Sequence, residues 1–256
     1  MFAEERQQEM VKLLYESGAI KVNQLSKLFG VTEETIRRDL EKLEFENKLR
    51  RTHGGAITID EKNDDDIPFK KRKVLMAKEK RSIANEAVKL IEEQDVIFLD
   101  AGSTALYLAK ALPNISIKVL TNSLLVAFEL NKKNNIQVIL TGGNLTQHSL
   151  SLVGPATIRS TQNYHINKMF FSCKGFDPTW GISDSNEQQA AVKRAVIEMS
   201  EKVVLLADHS KINKRSFVNI NSLDAVDIII VDQKVSKEYF SLEGLEKKKI
   251  IYSKTD

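Results

Sequence analysis

Six short, nearly unbroken apolar runs constrain the fold of this chain more than any other feature. They are Val96-Ile97-Phe98-Leu99, Ile117-Lys118-Val119-Leu120, Val138-Ile139-Leu140, Met169-Phe170-Phe171, Val203-Val204-Leu205-Leu206 and Ile228-Ile229-Ile230-Val231. Runs of strand length without polar alternation suit strands buried on both faces, as in a parallel sheet with helices on either side. Helical patterns alternate with them: 78–93, with Ile83, Ala84, Ala87, Leu90 and Ile91 on one face, then 104–111, 123–130, 186–200 and 235–242. The expectation is an α/β fold, Rossmann-like and mainly parallel, from residue 76 onward.

A chain of 256 residues is long enough for that domain and a second, smaller one. The segment between them is read as a linker over 59–75. Glu61 to Asp66 is polar, Pro68 breaks any helix, and Lys70-Lys71-Arg72-Lys73 is a basic run. That run reads as a phosphate-contacting arm or as a solvated linker or helix start. Cys173 is the single cysteine, which rules out an intrachain disulfide and suits a reducing compartment. The charged N-terminus and the lack of any apolar stretch near the ~20 residues of a membrane span point to a cytoplasmic protein.

The small domain, residues 1–58, has a helical order. Met10, Leu13 and Leu14 stripe a first helix over 4–17, Ala19-Ile20-Lys21 reads as a short strand, and Val22, Leu25, Leu28 and Phe29 stripe a helix that stops at Gly30. Thr32 then caps a helix with Glu33 and Glu34 in its first turn, where the helix dipole favours negative charge. Ile36, Leu40 and Leu43 form its apolar stripe; Glu34, Arg38, Glu41 and Lys42 fall opposite, with Thr35 and Arg37 on the flanks. A helix that buries one face and presents hydroxyls and guanidinium groups on the other can reach phosphates and base edges in a major groove. The order is that of a helix-turn-helix, at about 20–39, and 49–57 reads as a basic hairpin beside it. Phe45 falls on the outward side, so either the helix has ended there or the ring packs on a neighbouring domain.

Here the chain resembles the winged helix-turn-helix repressors of the DeoR type. The resemblance rests on Arg6, Met10 and Leu14, on Thr32 and Thr35-Ile36-Arg37-Arg38-Asp39-Leu40, and on Arg51 with His53-Gly54-Gly55-Ala56. Thr35, Arg38 and Glu34 are expected at base edges; Thr32, Arg37, Lys42, Arg50 and Arg51 are expected on phosphates, with His53 in the wing. Charge alone does not lead there. Residues 1–60 carry ten Lys/Arg against eleven Asp/Glu, a net of −1, within a chain of formal charge +3. Any positive patch must be local, which favours sequence-specific binding helped by dimerisation over a general affinity for polyanions.

In a parallel α/β sheet, ligands bind beyond the carboxyl ends of the strands. Five strand ends carry small polar or cationic residues: Asp100-Ala101-Gly102-Ser103-Thr104, Thr121-Asn122-Ser123, Thr141-Gly142-Gly143-Asn144, Lys174-Gly175 and Asp208-His209-Ser210-Lys211. Glycine lets backbone N–H groups approach an anion, helix N-termini add donors, and lysine adds a point charge. Any one of these loops could be an ordinary capped turn. Together they suggest a site for a small phosphorylated, hydroxyl-rich molecule.

Residues 76–252 also resemble the effector domain of the same family, which is similar in fold to ribose-5-phosphate isomerase and binds sugar phosphates. The match runs through Asp100–Thr104, Thr121-Asn122-Ser123, Gly142-Gly143, Gly175, Lys193-Arg194 and Asp208–Lys211. The resemblance implies an effector site of Asp100, Gly102, Ser103, Thr104, Thr121, Asn122, Gly142, Gly143, Lys174, Glu187, Lys193, Asp208 and Lys211. The alternative is an isomerase fused to a nucleic-acid module, with Glu187 as base and Lys174 or Lys193 as cation. Ribose-5-phosphate isomerases carry an acidic pair in the loop where this chain reads Cys173-Lys174-Gly175-Phe176, so binding without turnover is expected. His53, His148, His165 and His209 lack metal-ligand spacing, and neither a metal nor a cofactor is expected. Cys173 reads as inert packing, and Trp180 either lines the site or covers a loop. The expected whole is a cytoplasmic homo-oligomeric repressor of a sugar-use operon, whose partners are double-stranded operator DNA and a sugar phosphate.

Overall fold

The computed structural model describes residues 3–17, 19–46, 48–52, 54–57, 69–241 and 248–254. The side chains of 15–17, 50, 57, 70 and 241 lie outside that description. The chain divides into two compact units after Asp66.

In the first unit the order is α1 (Ala3–Ser17), β1 (Ala19–Lys21), α2 (Val22–Phe29), α3 (Glu33–Phe45), β2 (Arg50–Thr52) and β3 (Gly55–Ile57). The apolar stripes read from the sequence meet in one core of Met10, Leu14, Ile20, Val22, Leu25, Ile36, Leu40, Leu43, Leu49 and Ala56. Helix α2 stops because Gly30 turns left-handed (φ 64°) and returns its N–H to the Ser26 carbonyl. Thr32 then caps α3 by accepting from the Thr35 N–H. Helix α3 runs through Phe45, which is 90% exposed.

Buried polar contacts fix α1 against α3. Asp39 accepts from the Arg6 guanidinium at 2.6 Å and from the Gln7 amide at 2.7 Å, and all three side chains are buried. The hairpin of β2 and β3 continues onto β1, giving an antiparallel sheet in the order β1-β3-β2. Gly55 is required where β3 crosses β1: a Cβ there would sit 1.9 Å from the Ile20 carbonyl oxygen.

The second unit is built on β4 (Val96–Leu99), β5 (Ile117–Thr121), β6 (Ile136–Leu140), β9 (Ile166–Ser172), β12 (Ser200–Ala207), β14 (Ile228–Val231) and β15 (Lys249–Tyr252). They form one sheet in the order β15-β14-β12-β9-β4-β5-β6, each neighbouring pair parallel. Successive side chains serve two cores. Ile97, Leu99, Phe170, Val204, Leu206 and Ile230 face the layer of α5 (Ala77–Val88), α6 (Ser103–Ala111) and α7 (Leu124–Leu130). Phe98, Met169, Phe171, Leu205, Ile229 and Val231 face the opposite core with α9 (Glu187–Met199). Burial on both faces is why these strands read as continuous apolar runs.

From β4 the chain winds outward through β5 and β6; from β9 it winds the other way through β12, β14 and β15. Strands β4 and β9 are therefore the switch point, and the loops leaving their carboxyl ends diverge into a crevice. Shorter elements surround it: the hairpin of β7 (Asn144–Thr146) and β8 (Ser151–Val153), helix α8 (Pro155–Thr161), and an antiparallel sheet of β10 (Gly175–Asp177), β11 (Gly181–Asp184) and β13 (Val218–Asn221).

Three local readings differ from the sequence expectation. Helix α5 stops at Val88, not Glu93, because Asp95 accepts the Glu92 N–H and Gln94 turns left-handed (φ 69°); Ile91 still reaches the core. Residues 237–241 form a tight 3-10 turn instead of an α-helix. The basic run of the expected linker, Lys70 to Lys73, lies within a short helix, α4 (Phe69–Val74), anchored by Phe69 in the second unit's core.

The close approach at Gly55 gives a direct check. Gly55→Ala is expected to destabilise the first unit by about 1–3 kcal/mol through overpacking, read as a lower melting temperature for its helical signal; an unchanged melt would show that β1 and β3 have room for a methyl group.

Candidate functional sites

The outward face of α3 carries the groups expected for nucleic acid. Thr32, Glu34, Arg37, Arg38 and Lys42 are exposed and Thr35 is partly so. Thr32 and Thr35 share a hydroxyl contact of 2.9 Å, so each spends part of its capacity on the helix cap. Arg37 pairs with Glu33 at 3.1 Å across one helical turn, a solvent-exposed contact that phosphate can outcompete. Arg51, at the wing, donates its backbone N–H to Glu44, and its guanidinium lies 3.7 Å from Glu41. Arg50 belongs to β2 but its side chain is outside the described residues, as is His53. Asp39, inside the motif, faces the other way. It holds α1, so the sequence motif contains one structural anchor among its surface groups.

At the switch point of the second unit, Asp100 leaves β4 almost fully buried (2% exposed). Its two oxygens accept from the backbone N–H groups of Gly102 at 3.0 Å and Ser172 at 3.1 Å. Lys193, from α9 and 6% exposed, places its Nζ 3.4 Å from Asp100, 2.5 Å from Asp184 and 2.7 Å from the Ser172 carbonyl. One ammonium serves two buried carboxylates. Burial raises the pKa of both acids, but Lys193 and then Lys174 hold Asp184 below the usual range, whereas Asp100 stays pushed up. Burial likewise opposes the Lys193 charge, yet the two acids raise its pKa overall. Gly102 is obligatory here, since a Cβ would meet the Ser172 hydroxyl at 2.0 Å.

A second group of charges adjoins the first. Asp208, at the end of β12, accepts from the Ser210 N–H at 3.0 Å and is buried. Burial opposes its charge, but Lys211 and Lys80 keep its pKa low. Lys80, on α5 and 5% exposed, feels Asp208, Lys211, Arg72 and Lys174 at once. Burial, chiefly, brings its pKa down to about 8. Arg72 in turn interacts with Asp184 and Asp100. Lys193 and Lys174 thus act on Asp184, Arg72 on Asp184 and Asp100, and Lys80 and Lys211 on Asp208, five cations against three carboxylates for a formal +2 (5 − 3).

The other expected residues fall into different roles. The Thr121 hydroxyl donates to the Leu99 carbonyl at 2.7 Å and accepts the Ser123 N–H at 3.0 Å; it braces β5 against β4. Asn122 is buried, its Nδ2 donating to the Leu152 carbonyl at 3.0 Å while its Oδ1 has no partner. Ser103 and Thr104 sit in the buried first turn of α6. Gly142 and Gly143 both have positive φ, and Gly143 packs so closely that a Cβ would meet the Thr157 hydroxyl at 2.1 Å. Glu187 lies exposed in the first turn of α9. Trp180 is exposed at the turn between β10 and β11, where its backbone N–H donates to Asp177. Cys173 is buried, and burial pushes its thiol up to about 12, which fits the inert packing reading. Among the described residues no cluster of His, Cys, Asp and Glu side chains is placed to hold a metal ion.

Four contributors were not assigned from the sequence: Ser172, Asp184, Lys80 and Arg72. Asp184 stands in the polar stretch Ser183-Asp184-Ser185-Asn186, a weak signal on its own, and Lys80 is a charged residue buried in a helix that otherwise reads as amphipathic.

A winged three-helix head joined to a doubly wound domain with a cationic crevice at its switch point defines a DNA-binding regulator with a separate sensing unit. Residues 6–62 match the family described as the DeoR-like helix-turn-helix domain, and residues 75–233 match the DeoR C terminal sensor domain. The HTH-type transcriptional regulator YulB of Bacillus subtilis is 49% identical over 250 residues, covering 98% of this chain and 96% of that protein. GolR of Listeria innocua is 37% identical, covering 94% of each, and the L-fucose operon activator of Escherichia coli is 39% identical, covering 90% and 95%. Among solved structures, ribose 5-phosphate isomerase A from Neisseria gonorrhoeae aligns over 53% of each chain at 19% identity with a TM-score of 0.40. The chain belongs to the DeoR family of transcriptional regulators. Among its described residues no helix is long and apolar enough to cross a membrane.

The crowded cations have a pH signature. With Lys80 at about 8 in the folded chain and near 10.4 when unfolded, the unfolded chain binds more protons between those values. Stability contributed by this group therefore rises with pH across that window. Denaturant unfolding is expected to show the parent chain gaining on Lys80→Met between about pH 8 and 10; parallel pH profiles would mean that Lys80 keeps its ordinary affinity for protons.

Proposed function

We propose that this chain is a cytoplasmic repressor of a carbohydrate-catabolic operon. It binds operator DNA as a homo-oligomer through α3 and the wing, and releases it when a sugar phosphate occupies the switch-point site. The observation that carries the ligand class is the formal +2 of the charged group around Asp208 and Lys193. A phosphate monoester brings about −1.5 to −2 at neutral pH, so it neutralises the crevice where a neutral sugar does not. Asn122, with its unpartnered buried oxygen, supplies an acceptor for a sugar hydroxyl. Ser103 and Thr104 open α6, whose first turn has no side-chain cap, and Lys174 and Lys211 supply point charges for the phosphate. Glu187 faces the same end of the sheet, as the first residue of α9.

The relative named for the L-fucose operon supports control of sugar use. The word activator in that name marks the second reading: a ligand that strengthens DNA binding instead of weakening it. Turnover is disfavoured by the way the acids are occupied. Asp100 and Asp184 are committed to N–H groups and to Lys193, which leaves neither as a ready base for a C2 proton.

Three outcomes test this reading in one assay, fluorescence anisotropy on DNA from upstream of the chain's own gene. The effector is expected to weaken binding through a coupling of about 1–3 kcal/mol, roughly 5- to 150-fold. Lys211→Ala should raise the effector concentration needed by about tenfold or more, and an unchanged dose response would remove Lys211 from the site. Arg38→Ala is expected to cost about 1–3 kcal/mol and to relax sequence preference; an equal loss on every sequence would make Arg38 a phosphate contact.

A further inference from the structure

Three hydroxyls meet on the hairpin of β7 and β8. Thr146 Oγ1 lies 2.5 Å from Ser149 Oγ and 2.8 Å from Ser151 Oγ, and the two serine oxygens lie 2.6 Å apart. Thr146 can also donate to the Ser151 carbonyl at 3.1 Å. The Gln189 side-chain amide, from α9, donates to Ser151 and, at 3.4 Å, to Ser149. Ser151 is fully buried and braces the group, whereas Thr146, Ser149 and Gln189 are half-buried. Each hydroxyl brings one proton and two lone pairs, and the Gln189 amide brings two more protons. Lone pairs therefore outnumber protons in the group, and Thr146 has a second acceptor to turn to. The group can accept from a newcomer or donate to it without leaving a member unpaired, which suits a sugar hydroxyl.

This group is fastened to the switch-point site from two directions. The hairpin is zipped to the end of β5: the Leu152 N–H donates to the Asn122 carbonyl at 2.7 Å, Asn122 Nδ2 to the Leu152 carbonyl at 3.0 Å, and the Leu124 N–H to the Leu150 carbonyl at 3.0 Å. Asn122 is 1% exposed, and its Oδ1 has no partner among the described residues. A buried acceptor ordinarily has a hydrogen bond, and a ligand hydroxyl supplies the missing donor. From the other side, Gln189 stands one helical turn before Lys193 on α9, so the two share a face. The hydroxyls thus continue the wall that Lys193 begins at Asp100 and Asp184. Asp208 and Lys211 follow β12, across the switch of β9 and β4 from β5. Three strand spacings of about 4.8 Å separate β12 from β5, so the charged end and the hydroxyl end are distinct subsites.

We propose that the β7–β8 hairpin and Gln189 form the sugar-reading wall of the effector site. The Ser149 hydroxyl, the Gln189 amide and Asn122 Oδ1 take hydroxyl groups of the ligand's carbon chain, while the phosphate stays with the lysines. This rests on the sugar-phosphate reading above and deepens it, by assigning the residues that tell one phosphorylated chain from another. The recognised class is a phosphate monoester of a polyhydroxylated carbon chain with free hydroxyls remote from the phosphate.

Calorimetric titration of the full chain tests this by comparing inorganic phosphate with a panel of aldose, ketose and alditol monophosphates, ribose 5-phosphate, fructose 1-phosphate and glucose 6-phosphate among them. At least one panel member should bind about tenfold or more tightly than inorganic phosphate. In Gln189→Leu and in Ser149→Ala that member should lose about fivefold or more, while inorganic phosphate keeps its affinity within about twofold. Two separate variants keep the test open if one fails to fold. An equal loss for both probes would make the hydroxyl group a purely structural brace and overturn the proposal. Unchanged sugar-phosphate affinity in either folded variant also overturns it. A panel in which no member exceeds inorganic phosphate overturns it too and leaves the phosphate site standing; no binding of any probe overturns both readings together.

Discussion

One ammonium between two buried carboxylates organises the second unit. Lys193 reaches Asp184 at the end of β11, Asp100 at the end of β4 and the Ser172 carbonyl at the end of β9 from its own place on α9. Four elements that converge only in the folded chain are pinned by that one side chain. Removing either partner from a buried pair costs about 3–5 kcal/mol, because the survivor is left charged and desolvated. Such a device adds little net stability, but it fixes where the two diverging loops must lie. Around it, Lys174 adds to the hold of Lys193 on Asp184, and Lys80 and Lys211 act on Asp208.

The first unit uses the same logic on a smaller scale. Asp39 faces inward from α3 to Arg6 and Gln7, so the rest of that turn faces outward. Arg37 and Arg38 immediately precede Asp39 in sequence, and both are exposed. Their availability follows from the buried pair behind them. The nearly balanced charge of residues 1–60 then makes sense: on α3, Glu33 and Glu41 pair with the Arg37 and Arg51 guanidiniums, Glu44 accepts the Arg51 backbone N–H, and these acids temper attraction to arbitrary DNA.

Much of this was legible in the residues. The six apolar runs lie within β4, β5, β6, β9, β12 and β14, because burial on both faces leaves no polar alternation to confuse the reading. The Thr32 cap and the Ile36, Leu40, Leu43 stripe located α3 because local chemistry alone decides them. Asp100, Gly102, Asp208 and Lys211 were read at strand ends, where a parallel sheet places its ligands, and Lys193 came from the family resemblance alone. What escaped was what depends on distant partners. Ser172 is 72 residues from Asp100, and nothing in either neighbourhood announces the contact. Strands of three or four residues such as β10, β11 and β13 are too short to show a period. The basic run that holds Arg72 read as a phosphate-contacting arm or as a solvated stretch, and nothing in the sequence marked Lys80, whose ammonium is buried against the end of α4. Thr121 erred in the opposite sense: it sits at the expected strand end but spends its hydroxyl on the backbone.

These pieces describe a regulator in which recognition of DNA and recognition of a small anion are built on separate units, each aligned by a buried ion pair. The link between them rests on the claim that the crevice selects a phosphorylated sugar by charge. Isothermal titration of the full chain with matched pairs of sugars, each with and without its phosphate, measures that claim directly. At least one phosphorylated member should bind saturably at one site per chain, with its unphosphorylated partner bound at least about a hundredfold more weakly, the loss of two or more charge-assisted hydrogen bonds. Equal affinity within a pair, or tighter binding of the neutral sugar, would contradict it.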